Sequence, residues 1–210
     1  MSKATSPFER TLVIGASVSA ALTDRNPTKL FLKENGWLAG SRTHAFGGRP
    51  GAHVLSQLKK TQLDDVTAVI GVDLMFWDSV MGLGNPTEAR AFLRGFCKEV
   101  GKRRLPLILG RIPGFHMLQI HREELNEAIE KEARNYELAR VIELDRLFEQ
   151  VMADEGIHID GKHHRMSDLI PDGLHPGPVA AQYIAHSIAP LAASLEAAVS
   201  MHRQQATGSV

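Results

Sequence analysis

This chain of 210 residues has a single cysteine and no excess of positive or negative charge. Cys97 is the only cysteine, so no disulfide can form within the chain, which fits a reducing compartment. Basic and acidic side chains number 24 each, and this balance offers no basic surface to nucleic acid or an anionic membrane. No apolar run approaches a transmembrane length, and no signal peptide precedes the first apolar segment. We therefore expect a cytoplasmic protein with no membrane span and no nucleic-acid partner.

Short apolar runs alternate with helical patterns along the whole chain. Candidate strands lie at residues 12–14, 42–46, 66–74, 105–112 and 138–144. Strands separated by helices favour an α/β fold with a parallel sheet between two helical layers, and right-handed crossovers favour the flavodoxin-like strand order 2-1-3-4-5. The chain has no repeat and no linker. We therefore predict one domain over residues 1–200 and a polar tail over residues 201–210.

The segments between the strands carry helical spacing of apolar residues. They predict helices at residues 87–103, 122–135, 146–155 and 178–200, the first entered through Pro86. The dipeptide Asp160-Gly161 stands between two short runs with β propensity. It predicts a small hairpin.

The first apolar run, Thr11–Ser19 (TLVIGASVS), stops on small residues and two serines. A run without polar alternation indicates a strand buried on both faces, so Ser17 is expected at the carboxyl edge of the sheet, where α/β folds bind ligands. Serine is also a common helix N-cap. Taken alone, Ser17 is therefore either a cap or a nucleophile.

A second short motif, Asp172-Gly173-Leu174-His175-Pro176, directly precedes the last helix. An aspartate three residues before a histidine can accept a hydrogen bond from one imidazole nitrogen and leave the other nitrogen facing outward. The same residues also fit a structural Asx turn. The motif therefore supplies a general base only if a nucleophile lies opposite.

Together these motifs resemble the four sequence blocks of the SGNH hydrolases, the GDSL-type esterase and lipase superfamily. TLVIGAS resembles the first block, with Ser17 as the nucleophile, and FGGRPGA resembles the second, with Gly48 as an oxyanion-hole donor. Gly71-Val72-Asp73-Leu74 matches the third block, and Asp172–Pro176 reproduces the last. The blocks fall in the family's order from about residue 11 to residue 190. The resemblance implies an acyl-serine mechanism with Ser17, Asp172 and His175 as the triad and no metal or organic cofactor.

The sequence departs from the family pattern at two positions. Ala16 stands where the family usually has aspartate, and Asp73 stands where it has the asparagine of the oxyanion hole. An ionised carboxylate accepts hydrogen bonds and repels a developing negative charge, whereas an amide donates. Asp73 is either protonated through burial and still a donor, paired with Arg49 or Arg111, or turned away from the hole. We favour the arginine pair, with backbone N–H groups of Ser17 and Gly48 completing the hole.

Met75, Phe76 and Trp77 follow the third strand, and the apolar loop continues to Leu83. Residues at a strand's carboxyl edge are placed either to line an acyl pocket or to close the end of the core. We single out Phe76 and Trp77 as substrate-binding candidates. His158, His163 and His164 form a weaker metal candidate, in which His158 and His164 share one side of the hairpin; a polar exposed hairpin is the simpler interpretation.

The motifs and the resemblance together predict a serine hydrolase that cleaves an acyl or acetyl ester of a small molecule, a lipid or a carbohydrate. A general α/β-hydrolase is disfavoured because GASVS lacks the final glycine of G-x-S-x-G, and a dinucleotide fold because GASVSA lacks the spaced glycines. The alternative from another class is a catalytically weak SGNH-like domain that serves as a binding or scaffold protein.

Overall fold

The computed structural model describes residues 6–114 and 118–207. Its centre is a five-stranded sheet in which all neighbouring strands run parallel. The strands are β1 (Thr11–Gly15), β2 (Arg42–Ala45), β3 (Ala68–Gly71), β4 (Leu107–Gly110) and β5 (Ala139–Ile142). Their order across the sheet is β2-β1-β3-β4-β5. The predicted α/β class and strand order are confirmed.

Helices cover both faces of the sheet. The α-helices of the described residues are α1 (Ser17–Ala20), α2 (Pro27–Glu34), α3 (Gly51–Gln57), α4 (Thr61–Asp64), α5 (Pro86–Lys102), α6 (Arg122–Arg134), α7 (Leu144–Ala153), α8 (Met166–Leu169) and α9 (Pro178–Thr207). Helices α3 to α6 pack on one face, and α2, the start of α7 and α9 pack on the other.

The three central strands, β1, β3 and β4, are almost entirely apolar because both of their faces are covered. Every residue of β1, β3 and β4 is buried. Successive side chains point to opposite faces, so Leu12 and Ile14 join one apolar cluster while Val13 joins the other. Each fully buried side chain of this size stabilises the fold by about 1.5–3 kcal/mol.

Several predicted helix boundaries differ from the observed ones. Helix α6 agrees within one residue, and Asn85 caps α5 by accepting hydrogen bonds from the N–H groups of Thr87 and Glu88. Helix α7 spans Leu144–Ala153, so it begins and ends two residues before the predicted bounds of 146–155. Helix α9 continues to Thr207, so the predicted tail is helical over residues 201–207. Its Met, Arg, Gln and Ala residues are good helix formers although they are mostly polar.

One segment, Pro178–Gln205 of α9, is long and apolar enough to cross a membrane by length and composition alone. Its side chains Ile184, Ile188 and Leu195 are at most 3% exposed and belong to the cluster on the sheet. The expectation of no membrane span remains a prediction.

The predicted hairpin is confirmed as β6 (Ile157–Ile159) and β7 (Lys162–His164), which pair antiparallel. Both residues of its turn have positive φ, 50° at Asp160 and 76° at Gly161. This is the backbone of a type I′ turn, for which an Asp-Gly pair is preferred.

Candidate active site

Ser17 is the first residue of α1 and follows the carboxyl end of β1 directly. The strand-to-helix turn is tight, because a Cβ added at Gly15 would lie 2.1 Å from Asp73 Oδ1 and 2.4 Å from Ser19 Oγ. Only glycine fits there. Ser17 itself is half-buried, so its hydroxyl stands at the sheet edge where the sequence predicts it.

Asp73 lies against the start of α1 and accepts four hydrogen bonds there. Its Oδ1 accepts from the Ala16 N–H (3.1 Å) and from Ser19 Oγ (2.5 Å). Its Oδ2 accepts from the Val18 N–H (2.8 Å) and the Ser19 N–H (3.3 Å). Burial raises the pKa of the Asp73 carboxyl, and these hydrogen bonds oppose the rise. The carboxyl group therefore caps the helix that presents Ser17.

The expectation that Asp73 pairs with Arg49 or Arg111 is wrong. Arg49 is exposed, and the Nε atom of Arg111 lies 2.8 Å from Asp145 Oδ2 while its Nη1 pairs with Glu130. The N-terminus of α1 satisfies both oxygens of Asp73 instead, because unpaired N–H groups at a helix start are ready partners for a carboxylate. Asp73 thus occupies the third block without offering a donor to an oxyanion.

Asp73 does not accept from every backbone N–H group of this turn. Asp73 takes the N–H groups of Ala16, Val18 and Ser19, whereas the N–H of Ser17 has no acceptor among the described residues. A free N–H on the nucleophilic residue itself is a suitable donor to a developing oxyanion.

The second predicted donor, Gly48, lies in a β-turn beside β1. The Arg49 N–H donates to the Phe46 carbonyl, and Gly48, the third residue of the turn, has φ +68°. A type II turn requires a positive φ at that position, which favours glycine. The turn is tied to β1 because the Phe46 N–H donates to the Gly15 carbonyl at 3.1 Å. Within the described part of the chain, the Gly48 N–H has no acceptor.

Asp78, which the sequence analysis did not single out, holds the other end of this turn. Its fully buried carboxyl group accepts hydrogen bonds from the N–H groups of Gly51 and Ala52, the first residues of α3. Gly48 lies three residues before Gly51. Asp78 therefore fixes the point at which the Gly48 turn enters α3.

Asp78 makes a testable contribution to the pH dependence of stability. Burial raises its pKa from 3.8 to about 6, and the backbone hydrogen bonds offset this only in part. The folded protein therefore binds this proton more tightly than the unfolded chain, so the Asp78 contribution to stability is lost as pH rises from about 4 to about 6. The quantity to compare is the free energy of unfolding of wild type minus that of Asp78→Asn. We expect this difference to fall by about 2 kcal/mol as the pH rises from 4 to 7.

Urea unfolding of both proteins at a series of pH values measures this difference. Asp65→Asn, at an exposed aspartate paired with Arg42, is the control for the loss of one carboxyl group. A wild-type to Asp78→Asn difference that stays constant from pH 4 to pH 7 would contradict the prediction.

The predicted dyad of Asp172 and His175 is formed. Asp172 Oδ2 lies 2.9 Å from His175 Nδ1, while Oδ1 accepts from the N–H groups of Leu174 (3.0 Å) and His175 (2.7 Å). The backbone bond from His175 is the largest cause that lowers the pKa of Asp172, to about 2. The carboxylate therefore stays ionised at neutral pH and orients the imidazole, which leaves Nε2 as the outward nitrogen.

Ser17 and the histidine turn border one apolar cavity of about 50 Å³. Ser17 lines it from the start of α1, and Leu174 and Pro176, the neighbours of His175, line it from the loop before α9. No hydrogen bond joins Ser17 Oγ to His175 among the described residues. Catalytic hydrogen bonds are often long in unliganded sites and shorten when substrate binds.

The cavity separates the predicted pocket residues into two groups. Met75 and Phe76 line it, whereas Trp77 and Leu83 do not. The ring of Trp77 packs edge-on against Phe76 with 5.2 Å between centroids and lies against the core. Its role in substrate binding stays a prediction. Phe148 of α7 and Ile184 of α9 also line the cavity, and no local sequence pattern distinguishes them from ordinary core residues.

The histidines of the hairpin pair differently from the expectation. His158 lies opposite His163, with 5.0 Å between ring centroids, and His164 pairs with Ile157. The expectation that His158 and His164 share one side of the hairpin is wrong, because His164 lies opposite Ile157 and successive side chains of a strand point to opposite faces. In the ranges that the structure describes, no three potential ligands are grouped to hold a metal ion.

No protein-family model and no curated protein matches the sequence. Solved structures with a similar fold do exist. The psychrotrophic esterase EstA from Pseudoalteromonas sp. has a TM-score of 0.60 at 17% identity over 86% of this chain and 94% of its own.

Two further structures agree in fold. The lipase/acylhydrolase from Enterococcus faecalis has a TM-score of 0.62 at 15% identity, with 89% of this chain and 95% of its own covered. A G-D-S-L family protein from Desulfitobacterium hafniense DCB-2 has a TM-score of 0.60 at 12% identity, with 86% and 98% covered. The likeness extends over most of each chain, so this chain has the fold of the SGNH hydrolases.

Proposed function

We propose that this protein is a serine hydrolase that cleaves a small-molecule ester through an acyl-serine intermediate. The observation that carries the proposal is the turn at Ser17, which leaves the Ser17 N–H unpartnered beside an apolar cavity that the neighbours of His175 also line. A nucleophile, a base oriented by a carboxylate, a donor for the oxyanion and a space for an acyl group are the parts that acyl transfer requires. The esterase and acylhydrolase neighbours have the same fold.

In the proposed reaction, His175 Nε2 takes the proton of Ser17 Oγ as the oxygen attacks the ester carbonyl carbon. The N–H groups of Ser17 and Gly48 donate to the oxyanion of the tetrahedral intermediate. The imidazolium then gives its proton to the departing alcohol, and Ser17 keeps the acyl group. Water, deprotonated by His175, attacks the acyl-serine, and the acid leaves as Ser17 regains its proton. Asp172 holds the imidazole tautomer throughout.

One observation favours a second candidate, a binding or scaffold protein with weak catalysis. Asp73 is committed to capping α1, so the proposed oxyanion hole has two backbone donors and no side-chain amide. Loss of one such donor typically lowers kcat by about 100-fold to 1,000-fold. Under the first candidate the reduced rate still sustains turnover, whereas under the second the remaining catalysis is weak and binding is the function.

Hydrolysis of p-nitrophenyl acetate by purified protein tests the proposed function. We expect saturable turnover in wild type and a fall in kcat/KM of about 100-fold to 10,000-fold in His175→Ala, because the general base is removed. His163→Ala, an exposed histidine in the hairpin, is the matched control and should keep wild-type activity. Equal activity of wild type and His175→Ala would overturn the proposal.

A further inference from the structure

The cavity beside Ser17 limits what an acyl group can be. We propose that it is an acyl pocket for short chains of about two carbons, and that Phe148 and Ile184 form the wall that sets this limit. The inference rests on the proposed function, since it assigns the acyl half of the substrate at the same site.

The volume of the cavity sets the first constraint. It is about 50 Å³, whereas an apolar cavity of about 150 Å³ accommodates benzene, with six carbons. By that proportion the space beside Ser17 holds about two carbons, so an acetyl group fits and a butyryl group leaves part of its chain outside the cavity. A longer acyl chain needs either an opening to solvent or a neighbouring space.

A neighbouring space exists, but a wall of two side chains closes it off. A second apolar cavity of about 20 Å³ lies between α7, α9 and the hairpin, lined by Val151, Leu169 and Ala180 among others. Phe148 and Ile184 line both cavities. They are 6% and 3% exposed, so each stands between the two spaces with little contact to solvent.

Phe148 and Ile184 have apolar surroundings on both sides, so their position determines how long an acyl chain the site accepts. The second cavity is lined by apolar side chains and Tyr183, so a methylene chain that entered it would be transferred from water to largely apolar surroundings. Removal of the Phe148 ring would join the two cavities and add the space that the ring occupies. A chain of six to eight carbons could then extend from Ser17 toward Val151.

The experiment measures kcat/KM for p-nitrophenyl esters from acetate to decanoate in wild type and Phe148→Ala. We expect wild type to prefer acetate to butyrate, and we expect Phe148→Ala to raise the octanoate-to-acetate ratio of kcat/KM by at least about tenfold, since a methylene accommodated in an apolar pocket changes the ratio by about 10-fold or more. Val151→Ala, which enlarges only the second cavity, is the matched control and should keep the wild-type ratio.

Phe148→Leu and Ile184→Ala remove smaller volumes from the same two side chains. They replace Phe148→Ala in the experiment if that variant does not fold. A folded wall variant with the wild-type chain-length profile would overturn the inference and leave the proposed function intact. A wild-type enzyme that turns over octanoate as well as acetate would do the same. Absence of turnover at every chain length in wild type would overturn both.

Discussion

Ser17→Ala is expected to lower ester turnover by at least about 1,000-fold while leaving the fold unchanged. The substitution removes Oγ, the attacking atom, whereas the backbone N–H of residue 17 and the cap by Asp73 remain in place. In a triad that acts as one unit, a second deletion adds little to the first. The double variant Ser17→Ala/His175→Ala should therefore be about as slow as either single variant.

The measurement is kcat/KM on p-nitrophenyl acetate, with thermal unfolding as the check on folding. Ser56→Ala is the matched control, because Ser56 is exposed and donates only to the His53 carbonyl within α3. A folded Ser17→Ala protein with wild-type turnover would remove Ser17 from the mechanism. Effects of the single variants that multiply in the double variant would mean that the two residues act independently.

Asp73→Ala is expected to reduce both stability and activity. The change leaves the N–H groups of Ala16, Val18 and Ser19 without their acceptor in a buried site, and each buried unsatisfied group destabilises by about 1–3 kcal/mol. We expect a loss of about 3 kcal/mol or more in the free energy of unfolding. Activity should fall at least about 100-fold in the folded fraction, because the turn that presents Ser17 loosens.

Asp73→Asn separates the capping role from the charge. Its amide oxygen can accept from the Val18 and Ser19 N–H groups, and its NH₂ can donate to Ser19 Oγ, so only the Ala16 N–H loses its partner. We expect turnover within about tenfold of wild type and a loss of about 1 kcal/mol in stability. A folded Asp73→Asn protein with activity reduced a hundredfold or more would show that the carboxylate takes part in the chemistry.

The fold could be predicted because its determinants are local and repeated. A strand buried on both faces, such as Leu12–Ile14 or Ala68–Gly71, reads as an apolar run in any context, and the alternation with helices limits the connections. The order of the motifs along the chain then places Ser17 and the loop that bears His175 at the same edge of the sheet. The contact between Asp172 and His175 spans three residues and needs only the local turn.

The residues that the sequence misplaced depend on partners far along the chain. Asp73 bonds to residues more than 50 positions earlier, so its own neighbours could not reveal whether an arginine or a helix N-terminus would satisfy it. Asp78 likewise caps a helix 26 or 27 positions before it.

The sequence also cannot show which apolar residues line the cavity, because their surroundings depend on how distant elements pack. Trp77 and Phe76 are adjacent in the sequence, yet only Phe76 lines the cavity. Phe148 and Ile184 reach the same cavity from helices more than 120 residues after Ser17, and their spacing is that of any core residue.

Reaction with a fluorophosphonate tests the central claim most directly, because only a serine activated by a base attacks such a probe readily. Intact-protein mass spectrometry and peptide mapping would locate the adduct. We predict one adduct per chain on Ser17, formed much more slowly in His175→Ala and not at all in Ser17→Ala. A folded wild-type protein that forms no adduct, or that carries it on another residue such as Ser19, would contradict the account.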